Sequence, residues 1–63
     1  MNVFIVIESD GYISVGIRGV FLTLDQAVSN AAGAIKIEEH STVTNQWVAI
    51  YCTDGELAVK NTV

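Results

Sequence analysis

The groups in this 63-residue sequence with reactive or metal-binding chemistry are seven carboxylates, one histidine and one thiol. Their spacing decides what they can do. Glu38, Glu39 and His40 are consecutive. At a helix end, neighbours in sequence point in different directions, so one metal ion would not gather all three. A solvated helix terminus is the expectation there. Asp10, Asp54 and Glu56 fall in or beside two Asp-Gly pairs, where turn geometry itself calls for those residue types. Hydrolysis by paired carboxylates needs a cleft and one raised pKa, and turn tips supply neither. Cys52 would need His40 as its base. The alternation around Cys52 instead sets the thiol toward the helix, as a small hydrophobe in the core. None of the five glycines sits in a phosphate-cradling loop between a strand and a helix. The sequence therefore reads as non-enzymatic, with no catalytic residue, no metal site and no cofactor.

The elements that position these groups come from hydrophobic periodicity. Asn2 to Glu8 is a continuous Val/Ile-rich run, the mark of a strand covered on both faces. Asp10-Gly11 predicts a two-residue hairpin turn, followed by an alternating strand from Tyr12 to Ile17. Gly16 and Gly19 mark a bulge or bend before Val20-Phe21. Thr23 is an N-cap, with Gln26 three residues on. Leu24, Ala27, Val28, Ala31, Ala32 and Ile35 then form one helical stripe, with the helix fraying or ending between Gly33 and Glu39. Gln46 to Thr53 and Glu56 to Lys60 make a second hairpin around Asp54-Gly55. The expectation is one α+β domain over residues 1–63. It is a four-stranded antiparallel sheet of two Asp-Gly hairpins, order ββαββ, with one helix on one face.

Composition sets the remaining bounds. The net charge is −4 and the hydrophobic fraction 51%. Phosphate backbones would be repelled, so direct nucleic-acid binding is not expected. No run reaches the ~18–20 apolar residues of a membrane span, and the N-terminus lacks the features of a secretion signal. The single cysteine rules out an intrachain disulfide and suggests a reducing, cytoplasmic setting.

Two-residue turns would set Val6 opposite Val15, Phe4 opposite Ile17, Ile50 opposite Val59 and Cys52 opposite Leu57, all toward the helix. Val3, Ile5, Ile7, Trp47, Ala49 and Tyr51 would then face outward. A helix of about 22 Å covers one side of a sheet, so a homodimer or higher oligomer is expected, by sheet faces or by sheet edges. Trp47 and Tyr51 read as dimer core in preference to partner-binding anchors. Asp25, Ser29, Asn30 and Glu39, with Asp54 and Glu56, are then the candidate contacts for a protein partner.

The stretch GVFLTLDQAVSNA, Gly19 to Ala31, preceded by the strand NVFIVI, resembles small uncharacterised domains common in bacteriophage and bacterial genomes. In those a strand ends in Val-Phe, a Ser or Thr caps a helix, and a helix Ala packs on the sheet; here these are Val20-Phe21, Thr23 and Ala27. The resemblance covers about half the chain and carries no functional residue across. It implies a phage-like accessory protein, in the host cytoplasm if phage-encoded. Two functions follow as expectations: an interaction protein that binds and inhibits or modulates a larger host or defence protein, or a binder of small molecules or nucleotides with its pocket between subunits.

Overall fold

A computed structural model describes residues 1–62. The elements are β1 Asn2–Ser9, β2 Val15–Phe21, α1 Leu24–Ser29, β3 Lys36–Ser41, β4 Trp47–Tyr51 and β5 Leu57–Lys60. The strands form one antiparallel sheet in the order β2-β1-β3-β4-β5. The expected four strands in the order ββαββ are thus corrected to five, and the unforeseen strand, β3, is the middle one.

β3 replaces the expected end of the helix. Thr23 does cap α1, its Oγ1 accepting from the Gln26 amide at 3.2 Å, but the helix ends at Ser29. The Asn30 side chain donates to the Gln26 carbonyl at 2.8 Å. Arg18, from β2, donates to the carbonyls of Asn30 and Ala32 at 3.0 and 2.7 Å. Those carbonyls would otherwise accept the amides of a continuing helix. Gly33, at φ +75°, turns the chain in the left-handed region. The Ile35 amide then donates to the Ile7 carbonyl at 2.8 Å, and pairing with β1 begins. Ala31, though beyond the helix, stays fully buried beside Val6, Ala27 and Ile37.

The hairpins differ from the expectation in register. β1 and β2 pair Ser9 with Val15 and Ile7 with Ile17, then slip past a bulge at Arg18 to pair Val6 with Gly19 and Phe4 with Phe21. The connection is a longer loop, with the Asp10 amide bonded to the Ser14 carbonyl at 3.3 Å. Asp10 Oδ1 accepts from the Tyr12 amide at 2.8 Å. Against the expected pairing, residues 15–17 are displaced by three positions. An odd shift moves every side chain to the opposite face. β4 and β5 keep Ile50 opposite Val59, but a bulge at Ala58 puts Tyr51, not Cys52, opposite Leu57.

Between β3 and β4 the turn was not foreseen. Asn45 adopts φ 63°, and the Ser41 hydroxyl accepts from the Val43 and Thr44 amides at 3.2 and 3.3 Å. Both are standard devices for tight turns. The core lies between α1 and β1–β3. Phe4, Phe21, Leu24, Val28 and Tyr51 pack around the four buried residues there, and alanines at 27 and 31 let the backbone approach closely. The β4–β5 turn leans on the same side: a Cβ built on Gly55 would meet Val28 Cγ2 at 3.1 Å.

Candidate protein-interaction face

Residues directly opposite in antiparallel strands share a face, so the registers define both sides of the sheet. The helix side carries Phe4, Val6, Ile37, Ala49 and Tyr51. The other side has no covering element among the described residues. It carries Val3, Ile5 and Ile7 from β1; Val15, Ile17 and Val20 from β2; Ile50 and Trp47 from β4; and Val59 from β5. The expected outward set is therefore divided. Val3, Ile5, Ile7 and Trp47 lie on the open face. Ala49, 3% exposed, and Tyr51, in ring contact with Phe4, lie inside. A bulge at Val48 separates them from Trp47, which stands opposite His40. Conversely Val15, Ile17, Ile50 and Val59, all expected to face the helix, are on the open side.

The exposed apolar area is substantial. Ile17 is 62% exposed, Val20 56% and Trp47 36%. With Ile35 and Val59 these expose on the order of 450 Å² across the face, comparable to the largest apolar patch of a typical monomer, which is often a contact surface. Covering it would contribute on the order of 10 kcal/mol before association costs. The whole chain exposes 4262 Å², against about 3,950 Å² expected of a folded monomer of this mass.

Down the middle of this face runs a charged row on β3. Glu38 accepts from Lys36 Nζ at 3.0 Å and meets His40 Nε2 at 2.9 Å. The His40 contact, reinforced by Lys36 and opposed by burial, holds the Glu38 carboxyl below its usual range. Lys36 and Glu38 also border a groove of about 360 Å³, whose apolar walls are Ile7, Val15, Ile17 and Ile35. Trp47 lies across the face, at the other end of the strands and on the far side of β3. Its carbonyl accepts from Asn61 Nδ2 at 2.8 Å.

The other candidate residues are scattered. Asp25, Ser29 and Asn30 are exposed on and just after α1. Asp54 and Glu56 are exposed in the β4–β5 turn beside the helix, with Asp54 Oδ1 accepting the Glu56 amide at 2.9 Å. Glu39 is not among them at the surface. It is half-buried on the helix side, its two oxygens taken by Asn2 Nδ2 at 2.6 Å and Tyr51 Oη at 2.7 Å. That same bond, with burial, raises the Tyr51 phenol above its ordinary value. His40 lies in a strand rather than at a helix end. Cys52, expected in the core, is exposed. The pairing of Tyr51 with Ile37 and of Ile50 with Glu38 turns β4 over relative to the expected facing, so Tyr51 rather than its neighbours Ile50 and Cys52 points to the helix.

Among the described residues no three His, Cys, Asp or Glu side chains are placed to share a metal ion. No described helix is long and apolar enough to cross a membrane. The groove's two charged groups, Lys36 and Glu38, are paired with each other. A scan against protein-family models and searches of curated proteins and of solved structures found no match.

Proposed function

We propose that this chain is a small, non-enzymatic, self-associating interaction protein that binds and inhibits or modulates a larger protein, acting in the cytoplasm. The open face carries this reading: an apolar sheet surface of several hundred Å² on a domain whose fully buried residues, among those described, are four, two of them alanine. A chain this small has a marginal core, so apolar contact from outside itself adds a sizeable share to its stability. The net charge of −4 sits away from that face, whose Lys36–Glu38 pair cancels. The acidic helix and turn positions Asp25, Asp54 and Glu56 thus stay free for a partner of opposite charge.

Capture from a bacterial lysate on immobilised chain tests the reading. The expected result is one larger protein held in near-stoichiometric amount by the wild type and lost on D54K/E56K. Recovery of nothing above background from any lysate tried rejects it. A second reading rests on the 360 Å³ groove, a volume typical of small-ligand sites. A nucleotide or metabolite that raises the melting temperature by several degrees, with no protein captured, would favour that reading.

A further inference from the structure

The open face has its two most distinctive features at diagonally opposite corners. The groove lies on the β1–β2 side, at the Ile7 and Lys36 ends of β1 and β3. Trp47 lies on the β4 side, level with Val3 and His40 at the other ends of the same strands. One corner offers an aromatic projection, the other an apolar recess. A two-fold axis running between two facing sheets, along the remaining diagonal, exchanges those corners and crosses the strands at a near right angle. That is one of the two ordinary ways sheets pack. We propose that the open face binds a second copy of this chain in this manner, with Trp47 of each copy seated in the partner's groove.

Area, charge and edges all favour this occupant. The molecule's two longest extents are 31 and 23 Å, so sheets crossed at a right angle would overlap over roughly 500 Å² per copy, about 1,000 Å² in all, at the lower bound for a specific interface. The charged groups of the face among the described residues are Lys36, Glu38 and His40. They are already bonded to one another, so two copies meet as near-neutral rows despite a net charge of −4 each. Edge-to-edge continuation is blunted at both ends of the sheet. β2 is bulged at Arg18, and β5 is four residues long and bulged at Ala58, devices that discourage strand addition. An isologous contact of this kind counts each substitution twice.

The inference rests on the interaction reading above but fails separately from it. Trp47 is the single tryptophan, so its emission reports this contact alone. On raising wild-type concentration through the micromolar range, light scattering should show a dimer, and Trp47 emission should shift to the blue in step with it. Ile17→Lys, at an exposed position, should keep the circular-dichroism spectrum and raise the dimer dissociation constant a hundredfold or more. Trp47→Ala should do the same by mass. A wild type that stays monomeric throughout overturns the proposal, as does a dimer with unshifted emission or an Ile17→Lys variant that dimerises as tightly as the wild type. Partner capture by a monomeric chain would sink this inference alone. A tryptophan-buried dimer that captures nothing would sink the broader reading and leave this one standing.

Discussion

Ile37→Val isolates the placement of β3. Ile37 is fully buried between α1 and the sheet, opposite both Val6 and Tyr51, whereas a helix continuing along the alanine stripe would leave it off the packed side. Removing one methylene from a filled site costs about 0.5–1.5 kcal/mol. A chain of 63 residues has roughly 3–9 kcal/mol of stability in total, so the loss is a sizeable share of it. For a domain of this size about 1 kcal/mol lowers the Tm by about 4–8 °C. The matched control is Ile13→Val, the same chemical change at a residue 97% exposed in the β1–β2 loop, which should stay within about 0.5 kcal/mol of the wild type. Thermal melts followed by far-UV circular dichroism, each repeated over a dilution series so that association is accounted for, give both numbers. Equal melting temperatures for Ile37→Val and Ile13→Val would refute the assignment of Lys36–Ser41 as the middle strand.

Gly19→Ala should destabilise by about 1–3 kcal/mol in chemical denaturation, because the new Cβ would stand 2.9 Å from the Phe21 ring; an unchanged midpoint would mean that ring is free to move. Arg18→Met should cost about 1 kcal/mol or more and expose the amides after Ser29 to faster hydrogen exchange, since it removes the bonds to the Asn30 and Ala32 carbonyls; unaltered exchange there would count against the Arg18 cap. For Glu38 the folded pKa lies below the unfolded one, so its stabilising contribution is full above the ordinary carboxylate value and fades as pH falls through the depressed folded value. Glu38→Gln should therefore flatten the acid limb of the stability profile, and an identical limb would contradict the triad. Tyr51 runs the opposite way. Its raised pKa stabilises below the ordinary phenol value and is lost as pH rises through the folded one, so Tyr51→Phe should remove the late phase of alkaline unfolding.

Local signals carried part of this fold and non-local ones the rest. Thr23 as an N-cap, the β1 run and the Ile50–Val59 pairing were legible because each depends on residues a few positions apart. The bulge near Gly16 and Gly19 was legible as well. Its consequence for register was not, because the loop from Asp10 to Ser14 is longer than an Asp-Gly pair requires, and an odd displacement inverts Val15 and Ile17 without altering the alternation that reveals a strand. β3 was hidden for a different reason. Half of KIEEHS is charged, and its Lys and Glu residues favour helix. It becomes a strand because β1 and β4 flank it on both sides, a tertiary effect that outweighs propensity. The open face inherited both difficulties: Val3, Ile5, Ile7 and Trp47 were foreseen there, while Ile17, Val20, Ile50 and the Lys36–Glu38–His40 row were not.

Helix length and face composition are coupled through one residue. Were α1 to run to Ile35, as the alanine stripe suggests, too little chain would remain for Lys36–Ser41 to pair with β1. Ile37 would then lose its place against Val6, and the three charged side chains would sit at a helix terminus in solvent. Arg18 opposes this from the neighbouring strand: the bulge at Arg18 turns over the Val15–Ile17 half of β2, and its guanidinium, held by Glu8 Oε1 at 2.6 Å, occupies the carbonyls a longer helix would need. The released segment enters the sheet centre, burying Ile37 on one side and placing Lys36, Glu38 and His40 in a row on the other. The inverted β2 half adds Val15 and Ile17 beside that row as the wall of the groove. A substitution that lengthened α1 would thus dismantle the open face as well as the core, so partner binding and stability should weaken together at Arg18, while at Ile17 binding should be lost with the fold intact.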